Sequence, residues 1–274
     1  MTRFSTRVPA KWVLAGEHAV LKGANAVALP YEGYELKLDF EPGLDPLQIE
    51  PSEISPLIHE LLTSLEMPLL NGALKIHSTI PIGAGLGSSA ALCIAISRWV
   101  KSVRNCPEDV VKLATQLENK FHGRSSGMDV AVISAGKPIT FGMASGAQPI
   151  EIQTLPKFTL HDTGLRCQTK QCIEKVEKFR EEQPRLAQQT DAAMNEAAQW
   201  AREALILLDS QQSERGRDLL RRAMLQAREC FYVWGLVPPQ VQKIEEELLA
   251  QGATAVKLTG AGNGGMLVAY WSKN

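Results

Sequence analysis

The 274-residue sequence has no cysteine pattern that would indicate a disulfide framework. Its five cysteines are odd in number, and no two of them form a C-x-x-C pair. Small secreted domains that depend on disulfides carry even numbers of cysteines at regular spacings. We therefore expect buried or free thiols, as in a protein of a reducing compartment.

Long apolar runs and an excess of either charge are also absent. No stretch approaches the ~18 uncharged apolar residues of a membrane-spanning helix, and Pro9 and Lys11 interrupt the region where a signal peptide would have its apolar core. The formal net charge is −1, with lysine and arginine scattered along the chain. This balance gives no electrostatic basis for binding nucleic acid or an anionic membrane. We expect a cytoplasmic protein that binds neither.

With 45% hydrophobic and 22% charged residues, the chain has the composition of an ordinary globular protein. In the first half, β-forming residues predict strands at "RVPAKWVLA", "AVALPYEGYELKLDF" and "ALKIHSTIP". Helical spacing predicts one helix with Ser52 as its N-cap, another from Ser88 or Ser89 to about Val103, and a third beginning near Pro107.

From about Pro156 onward, the residue composition and the predicted secondary structure change. After a predicted strand, "KFTLHDTG", charged and Ala- and Leu-rich helices run from about Lys170 to Ala250. Two further strands, "TAVKL" and "MLVAYW", are separated by "TGAGNGG". This change predicts two domains, residues 1–152 and 153–274.

The stretch "PIGAGLGSSAALCIAISRWV", residues 81–100, combines a small-residue loop with the start of an apolar helix. It is not a Walker A loop, because no lysine follows Gly87. It is not a dinucleotide fingerprint, because the third glycine position is Ser88. A strict G-x-G-x-x-G does occur at Gly260, Gly262 and Gly265, but a strand follows it where that fingerprint needs a helix.

The physical reading of residues 81–89 is an anion site. Glycines let the backbone approach a ligand closely, and the unpaired amides at a helix N-terminus favour phosphate. On this stretch alone, an ordinary glycine-rich turn with a serine cap is an equal alternative.

Three separated motifs resemble those of the GHMP kinase superfamily. "PIGAGLGSSAA" resembles its nucleotide-phosphate loop, "VPAKWVLAGEHAVLKG" at Val8–Gly23 its N-terminal substrate motif, and "KLTGAGNGGM" at Lys257–Met266 its C-terminal glycine loop. The resemblance implies an α+β fold with two lobes, a ribosomal-S5-like N-terminal lobe that binds ATP and a ferredoxin-like C-terminal lobe.

Within the superfamily, "GEHAVLKG" and "FHGRSSGMD" resemble the mevalonate kinases. The chain departs from that pattern at Ser125, where proline is usual, at Asn263 within the glycine run, and at Met266, where cysteine is common. "SSGMDVA" is also similar to a segment of phosphomevalonate kinases.

The resemblance implies a role for each matching residue. Asp129 and Lys11 would be catalytic, and Mg²⁺ would be held by Ser89 and by Glu118, which lies eleven residues before Asp129. Substrate contacts would come from Glu17, His18, Thr169, Gly260, Ala261 and Gly262. The nucleotide would be bound by Pro81, Gly83, Ala84, Gly85, Leu86, Gly87, Ser88 and Ser89.

Each role has a plainer alternative that sequence leaves open. Asp129 is also a favourable residue at a helix start, and Lys11 is unremarkable on an outward-facing strand. Glu118 could be a surface helix residue, His18 a structural histidine, and Thr169 a helix cap.

The resemblance implies an ATP- and Mg²⁺-dependent kinase that phosphorylates the primary hydroxyl of (R)-mevalonate to 5-phosphomevalonate. Alternatives are a phosphomevalonate kinase, a sugar or homoserine kinase, or a non-catalytic GHMP-fold binding module. A phosphorylated acceptor needs extra cations, and only Arg124 and Arg166 lie near the motifs. The resemblance leaves a homodimer, the nucleotide preference and feedback inhibition by prenyl diphosphates open.

Overall fold

A computed structural model describes residues 2–104, 109–122, 125–210 and 212–272. The chain forms two compact units whose segments alternate along the sequence. Unit 1 comprises Met1–Ala10, Tyr31–Pro81 and Gly87–Ser134, and unit 2 comprises Lys11–Pro30, Ile82–Leu86 and Ala135–Asn274. The domain boundary between residues 152 and 153 stays a prediction.

Strands and helices both occur in each unit. The strands in the described ranges are β1 (Phe4–Ala15), β2 (Ala26–Pro46), β3 (Gln48–Glu50), β4 (Asn71–Ser78), β5 (Ile139–Gly142), β6 (Gly146–Pro149), β7 (Phe158–Asp162), β8 (Ala255–Thr259) and β9 (Met266–Tyr270). The α-helices in the same ranges are α1 (Ser55–Ser64), α2 (Ser88–Arg104), α3 (Val110–His122), α4 (Met128–Ala135), α5 (Thr169–Glu182), α6 (Pro184–Asp209), α7 (Ser213–Val233) and α8 (Pro239–Ala250).

In unit 1, the second half of β2 pairs with β4 in antiparallel register, with Leu36 opposite Ser78. Strand β3 pairs with β4 in parallel. The alternation of buried side chains along β2 directs Leu38 and Phe40 into the core, where the Phe40 ring lies 5.0 Å from the ring of Trp99 in α2. Helix α2 is buried over most of its length and packs against α3. The start of α2 is therefore held by the core.

In unit 2, the first half of β2 pairs with β5, which pairs with β6. A second, antiparallel sheet has the strand order β7-β9-β8. All residues of β8 and β9 are buried, because helix α7 packs against β8 and aromatic side chains such as Phe158 contact Tyr270. The longest helices, α6 and α7, pack against each other.

Most elements predicted from sequence periodicity are confirmed, with one error in a helix start. Ser52 is not an N-cap: it begins a short 3₁₀ turn, Ser52–Ile54, and α1 starts at Ser55 with a proline in its first turn. Proline is favoured there because its missing N–H has no helical partner. Pro107 lies outside the described residues.

No helix in the described part of the chain combines the length and apolar character needed to cross a membrane.

Candidate active site

The loop before α2 has the backbone conformation that its glycines predict. Gly83, Gly85 and Gly87 have φ values of 73°, 80° and 74°, in the left-handed region that side chains with a β-carbon disfavour. Helix α2 begins at Ser88, directly after the loop. The amides of its first turn lack helical partners, and the positive end of the helix dipole lies there.

In unit 2, a second glycine loop at residues 260–265 packs against the first, backbone to backbone. A β-carbon on Gly260 would lie 2.8 Å from the Cα of Gly85, and one on Gly85 would lie 2.9 Å from the carbonyl oxygen of Thr259. These glycines are therefore required by contacts within the protein. Contact of Gly260 and Gly262 with substrate stays a prediction.

Lys11 is buried beside the first glycine loop. Its amide donates to the Leu86 carbonyl at 3.1 Å, and its Nζ donates to the Gly85 carbonyl at 3.0 Å. The residue is only 3% exposed, so the outward-facing alternative is wrong. Lys11 belongs to unit 2 and Asp129 to unit 1. Their pairing stays a prediction.

Glu17 forms a buried ion pair that the sequence did not predict. Its Oε1 accepts from the Nζ of Lys257 at 2.6 Å, and the two residues are 4% and 0% exposed. Burial raises the pKa of the Glu17 carboxyl, and the charge and hydrogen bond of Lys257 oppose that rise. A signal was present: Lys257 interrupts the apolar strand "TAVKL" directly before the glycine loop.

His18 is a neutral hydrogen-bond donor to the second glycine loop. Its Nε2 lies 2.8 Å from the Ala261 carbonyl oxygen, which can only accept, so Nε2 carries the proton. Burial lowers the His18 pKa to about 4. The ring packs edge-on against Trp234 at 5.3 Å. The fold thus brings together His18 and Ala261, two predicted substrate residues.

Thr169 is the first residue of α5, whose N-cap is Gln168, so the cap alternative for Thr169 is wrong. The start of α5 lies against the second glycine loop, since the Cys172 thiol is 3.5 Å from the Gly262 carbonyl oxygen. The thiols of Cys167 and Cys172 lie 3.1 Å apart, a proximity that their spacing alone did not reveal.

In unit 1, Glu118 is a buried carboxylate at the inner face of α3, only 2% exposed. Its Oε2 accepts from the hydroxyl of Ser125 at 2.7 Å. The surface-helix alternative is therefore wrong. Burial raises the pKa of the Cys93 thiol, and the charge of Glu118 adds to that rise. This effect agrees with the packing of α3 against α2.

Asp129 is the second residue of α4. Ser125 lies in the turn before α4 and forms hydrogen bonds with the end of α3. The Ser125 amide donates to Asn119 Oδ1 at 2.8 Å, and the Ser125 oxygen accepts from the Gly127 amide at 3.1 Å. Together with its bond to Glu118, these contacts hold the turn before α4 against the end of α3. Ser125 occupies a position where the resemblance leads one to expect proline, and proline could make neither donor bond.

Ser89 and Glu118 are chemically suited to Mg²⁺. A hydroxyl and a carboxylate are hard oxygen donors, and Mg²⁺ commonly takes one or two protein ligands and completes its shell with phosphates and water. In the described residues, no group of three or more histidine, cysteine, aspartate and glutamate side chains is placed to hold a metal ion. The Ser89 hydroxyl and the Glu118 carboxylate therefore suit a Mg²⁺ ion whose remaining ligands come from a bound nucleotide and water.

Comparison with known proteins identifies the fold. Residues 57–137 match the family model described as GHMP kinases N terminal domain. The crystal structure of the L. major mevalonate kinase in complex with R-mevalonate superposes with a TM-score of 0.79 at 24% identity, covering 100% of this chain and 88% of that one. The chain has the GHMP kinase fold.

The similar proteins include both mevalonate kinases and phosphomevalonate kinases. A mevalonate kinase of Aeropyrum pernix is 25% identical, over 97% of this chain and 87% of that protein. The Streptococcus pneumoniae phosphomevalonate kinase in complex with phosphomevalonate and AMPPNP has a TM-score of 0.76 at 16% identity, covering 99% of this chain and 93% of that one. The resemblance to GHMP kinases, and to mevalonate kinases among them, is confirmed, as is the α+β fold class.

Proposed function

We propose that this chain is an ATP-dependent kinase that transfers a phosphoryl group to the primary hydroxyl of (R)-mevalonate, giving 5-phosphomevalonate. The observation that carries the proposal is the buried Lys11, bound through Nζ to the carbonyl of Gly85 in a GHMP kinase fold. It places a fixed positive charge beside the loop to which the nucleotide phosphates are assigned. Similarity to proteins named mevalonate kinase supports the choice of acceptor.

The glycine loop and the start of α2, residues 81–89, would bind the ATP phosphates. The glycines of the loop adopt the left-handed conformation and have no side chains, so phosphate oxygens can approach the main-chain amides closely. Lys11 would neutralise part of the negative charge on the transferred group. Phosphoryl transfer depends mainly on such positioning and charge compensation.

Asp129 would orient the acceptor hydroxyl and accept its proton. A carboxylate within hydrogen-bond reach of an alcohol makes the oxygen a better nucleophile as the bond to phosphorus forms. The turn held by Ser125 fixes the start of α4, so the Asp129 backbone has a defined place relative to Glu118.

Ser89 and Glu118 would hold Mg²⁺, which compensates phosphate charge when it is bound. Glu17, His18, Thr169 and residues 260–262 would form the acceptor site. His18 is neutral near pH 7, because burial lowers its pKa to about 4. It can therefore act there as a hydrogen-bonding group without adding charge.

We expect Glu118→Gln to raise the Mg²⁺ concentration required for half-maximal activity by about 10–100-fold, the range found even for groups that only orient a metal ligand. Glutamine can still accept from Ser125 but lacks the charge. Mg²⁺ titrations at fixed ATP measure the effect, and the Mg²⁺-dependent rise in the Tm of the ATP complex gives a second readout. Glu60→Gln, an exposed change in α1, is the control. If the Mg²⁺ concentration required for half-maximal activity does not change, Glu118 is not a ligand of Mg²⁺.

A phosphomevalonate kinase is the main alternative, since solved structures of proteins with that name share the fold. A phosphorylated acceptor requires additional cations. Of the two candidates, Arg166 is engaged by both oxygens of Asp162 at 2.7 Å, and Arg124 lies outside the described residues. This pairing favours an acceptor without phosphate. A non-catalytic module is disfavoured because Lys11, Glu118 and Asp129 are all retained.

The deciding experiment is a coupled assay of ADP release with mevalonate, phosphomevalonate, homoserine and galactose as acceptors. We expect the highest kcat/KM with mevalonate and little ADP release without an acceptor. A preference for phosphomevalonate would replace the proposed acceptor. Tight ATP binding with no turnover on any acceptor would favour the binding module.

A further inference from the structure

Lys257 is a charged side chain in a strand whose other residues contact the core. It lies in the middle of β8, where all five residues are buried, and it is 0% exposed. An ammonium group removed from water is strongly destabilising unless charge and hydrogen bonds compensate it. The residues around Lys257 must therefore supply that compensation.

The ammonium of Lys257 has three kinds of partner. Its Nζ donates to Glu17 Oε1 at 2.6 Å and to the Val13 carbonyl at 3.3 Å, and it lies 5.3 Å from the ring centre of Phe231. A carboxylate, a carbonyl and an aromatic face all stabilise a cation. The contacts direct the Lys257 side chain at one oxygen of Glu17.

The other oxygen of that carboxylate has no hydrogen-bond partner among the described residues. Glu17 Oε2 is buried and unsatisfied, although nearly all buried polar atoms in folded proteins are paired. An unpaired carboxylate oxygen is costly, and a ligand that donates a hydrogen bond would remove that cost. Glu17 directly precedes His18, which is bound to the second glycine loop through Ala261.

We propose that Lys257 is a positioning residue for the acceptor: it anchors Glu17 through Oε1 so that Oε2 accepts a hydrogen bond from an acceptor hydroxyl. The inference rests on the proposed function, since it assigns the acceptor to this site. It also defines the acceptor's chemistry. The group that meets Glu17 is a donor, because the paired carboxylate repels a second anion and offers only an acceptor atom.

The test is a double-mutant cycle on the full-length chain with Lys257→Met, Glu17→Gln and the double variant. Lys257→Met should raise the KM for mevalonate about tenfold or more, the loss expected for a hydrogen bond to a charged group. The KM for ATP should stay within about twofold, since the pair is assigned to the acceptor and only the binding of that substrate is weakened. Lys243→Met, an exposed lysine in α8, is the matched control.

The double variant separates positioning from a general loss of stability. With both charges replaced by neutral side chains, no unpaired charge remains buried, so the double variant should melt at a higher temperature than Lys257→Met alone. Its KM for mevalonate should equal that of Glu17→Gln alone, because Lys257 acts through Glu17.

Two outcomes overturn the proposal: a folded Lys257→Met enzyme with the wild-type KM for mevalonate, or single-variant effects that multiply in the double variant. Failure of the proposed function is seen separately, as absence of mevalonate turnover in the wild-type chain, and the inference then falls with it.

Discussion

Replacing Asp129 by asparagine is expected to lower kcat by about 10²–10⁴-fold, the contribution typical of a positioned acid–base group. Asparagine keeps the size of aspartate and one of its acceptor oxygens, but it is uncharged and does not accept the proton of the attacking alcohol. The KM for ATP should change little, because the phosphates are assigned to residues 81–89. Steady-state kinetics of ADP release at saturating mevalonate measure kcat, and nucleotide titration measures ATP binding.

The control must reproduce the structural effect of removing an acid from a helix start. Asp109→Asn does so: Asp109 precedes α3, and its Oδ1 accepts from the Val111 amide at 2.8 Å. Loss of either charge should lower stability by about 0.3–1 kcal/mol through the helix dipole. Only Asp129→Asn should also lower kcat by the factor given above. Normal kcat in that variant would remove Asp129 from the mechanism and leave the helix-start alternative.

The second large effect concerns stability, at Gly16, which lies between β1 and the short 3₁₀ helix Ala19–Lys22. Gly16 has φ 107°, and a β-carbon there would lie 2.5 Å from the Cβ of Ala26 and from the carbonyl oxygen of Asn25. Gly16→Ala should destabilise the protein by about 2–5 kcal/mol. This is the sum of two free-energy costs, that of an alanine in the left-handed conformation and that of an overpacked contact. Thermal unfolding should show an apparent Tm lower by about 5–15 °C.

Gly23→Ala isolates the contribution of the clash. Gly23 also has a positive φ, 92°, but a β-carbon there would have nothing within 4 Å. This variant should lose only about 1–2 kcal/mol from backbone conformation. Equal losses at both positions would mean that the contact with the start of β2 adds nothing, contrary to the structure.

The order of the longer elements could be predicted from sequence because their signals are local. Helix α2 has its small-residue start and apolar repeat within one segment, and β4 has its alternation within eight residues. Strands β3, β5 and β6 have three or four residues each and were not predicted. Such short strands exist because distant segments supply their hydrogen bonds: β5 depends on the first residues of β2.

The resemblance of the motifs assigned the candidate site residues, but not the state of their side chains. For Lys11 and Glu118, sequence favoured exposed positions, whereas both are buried. Ser125 was visible only as a departure from a motif, and its bond to Glu118 required the end of α3 and the start of α4 to meet.

By itself, the sequence determined where the backbone can turn left-handed, where apolar faces recur, and which residues carry charge or a hydroxyl. Those properties belong to single residues and their neighbours. Only the tertiary structure decided which charges are buried together: Glu17 and Lys257 are 240 positions apart in the chain. The energy of a buried charge depends on its partner and on exclusion of water, and packing supplies both.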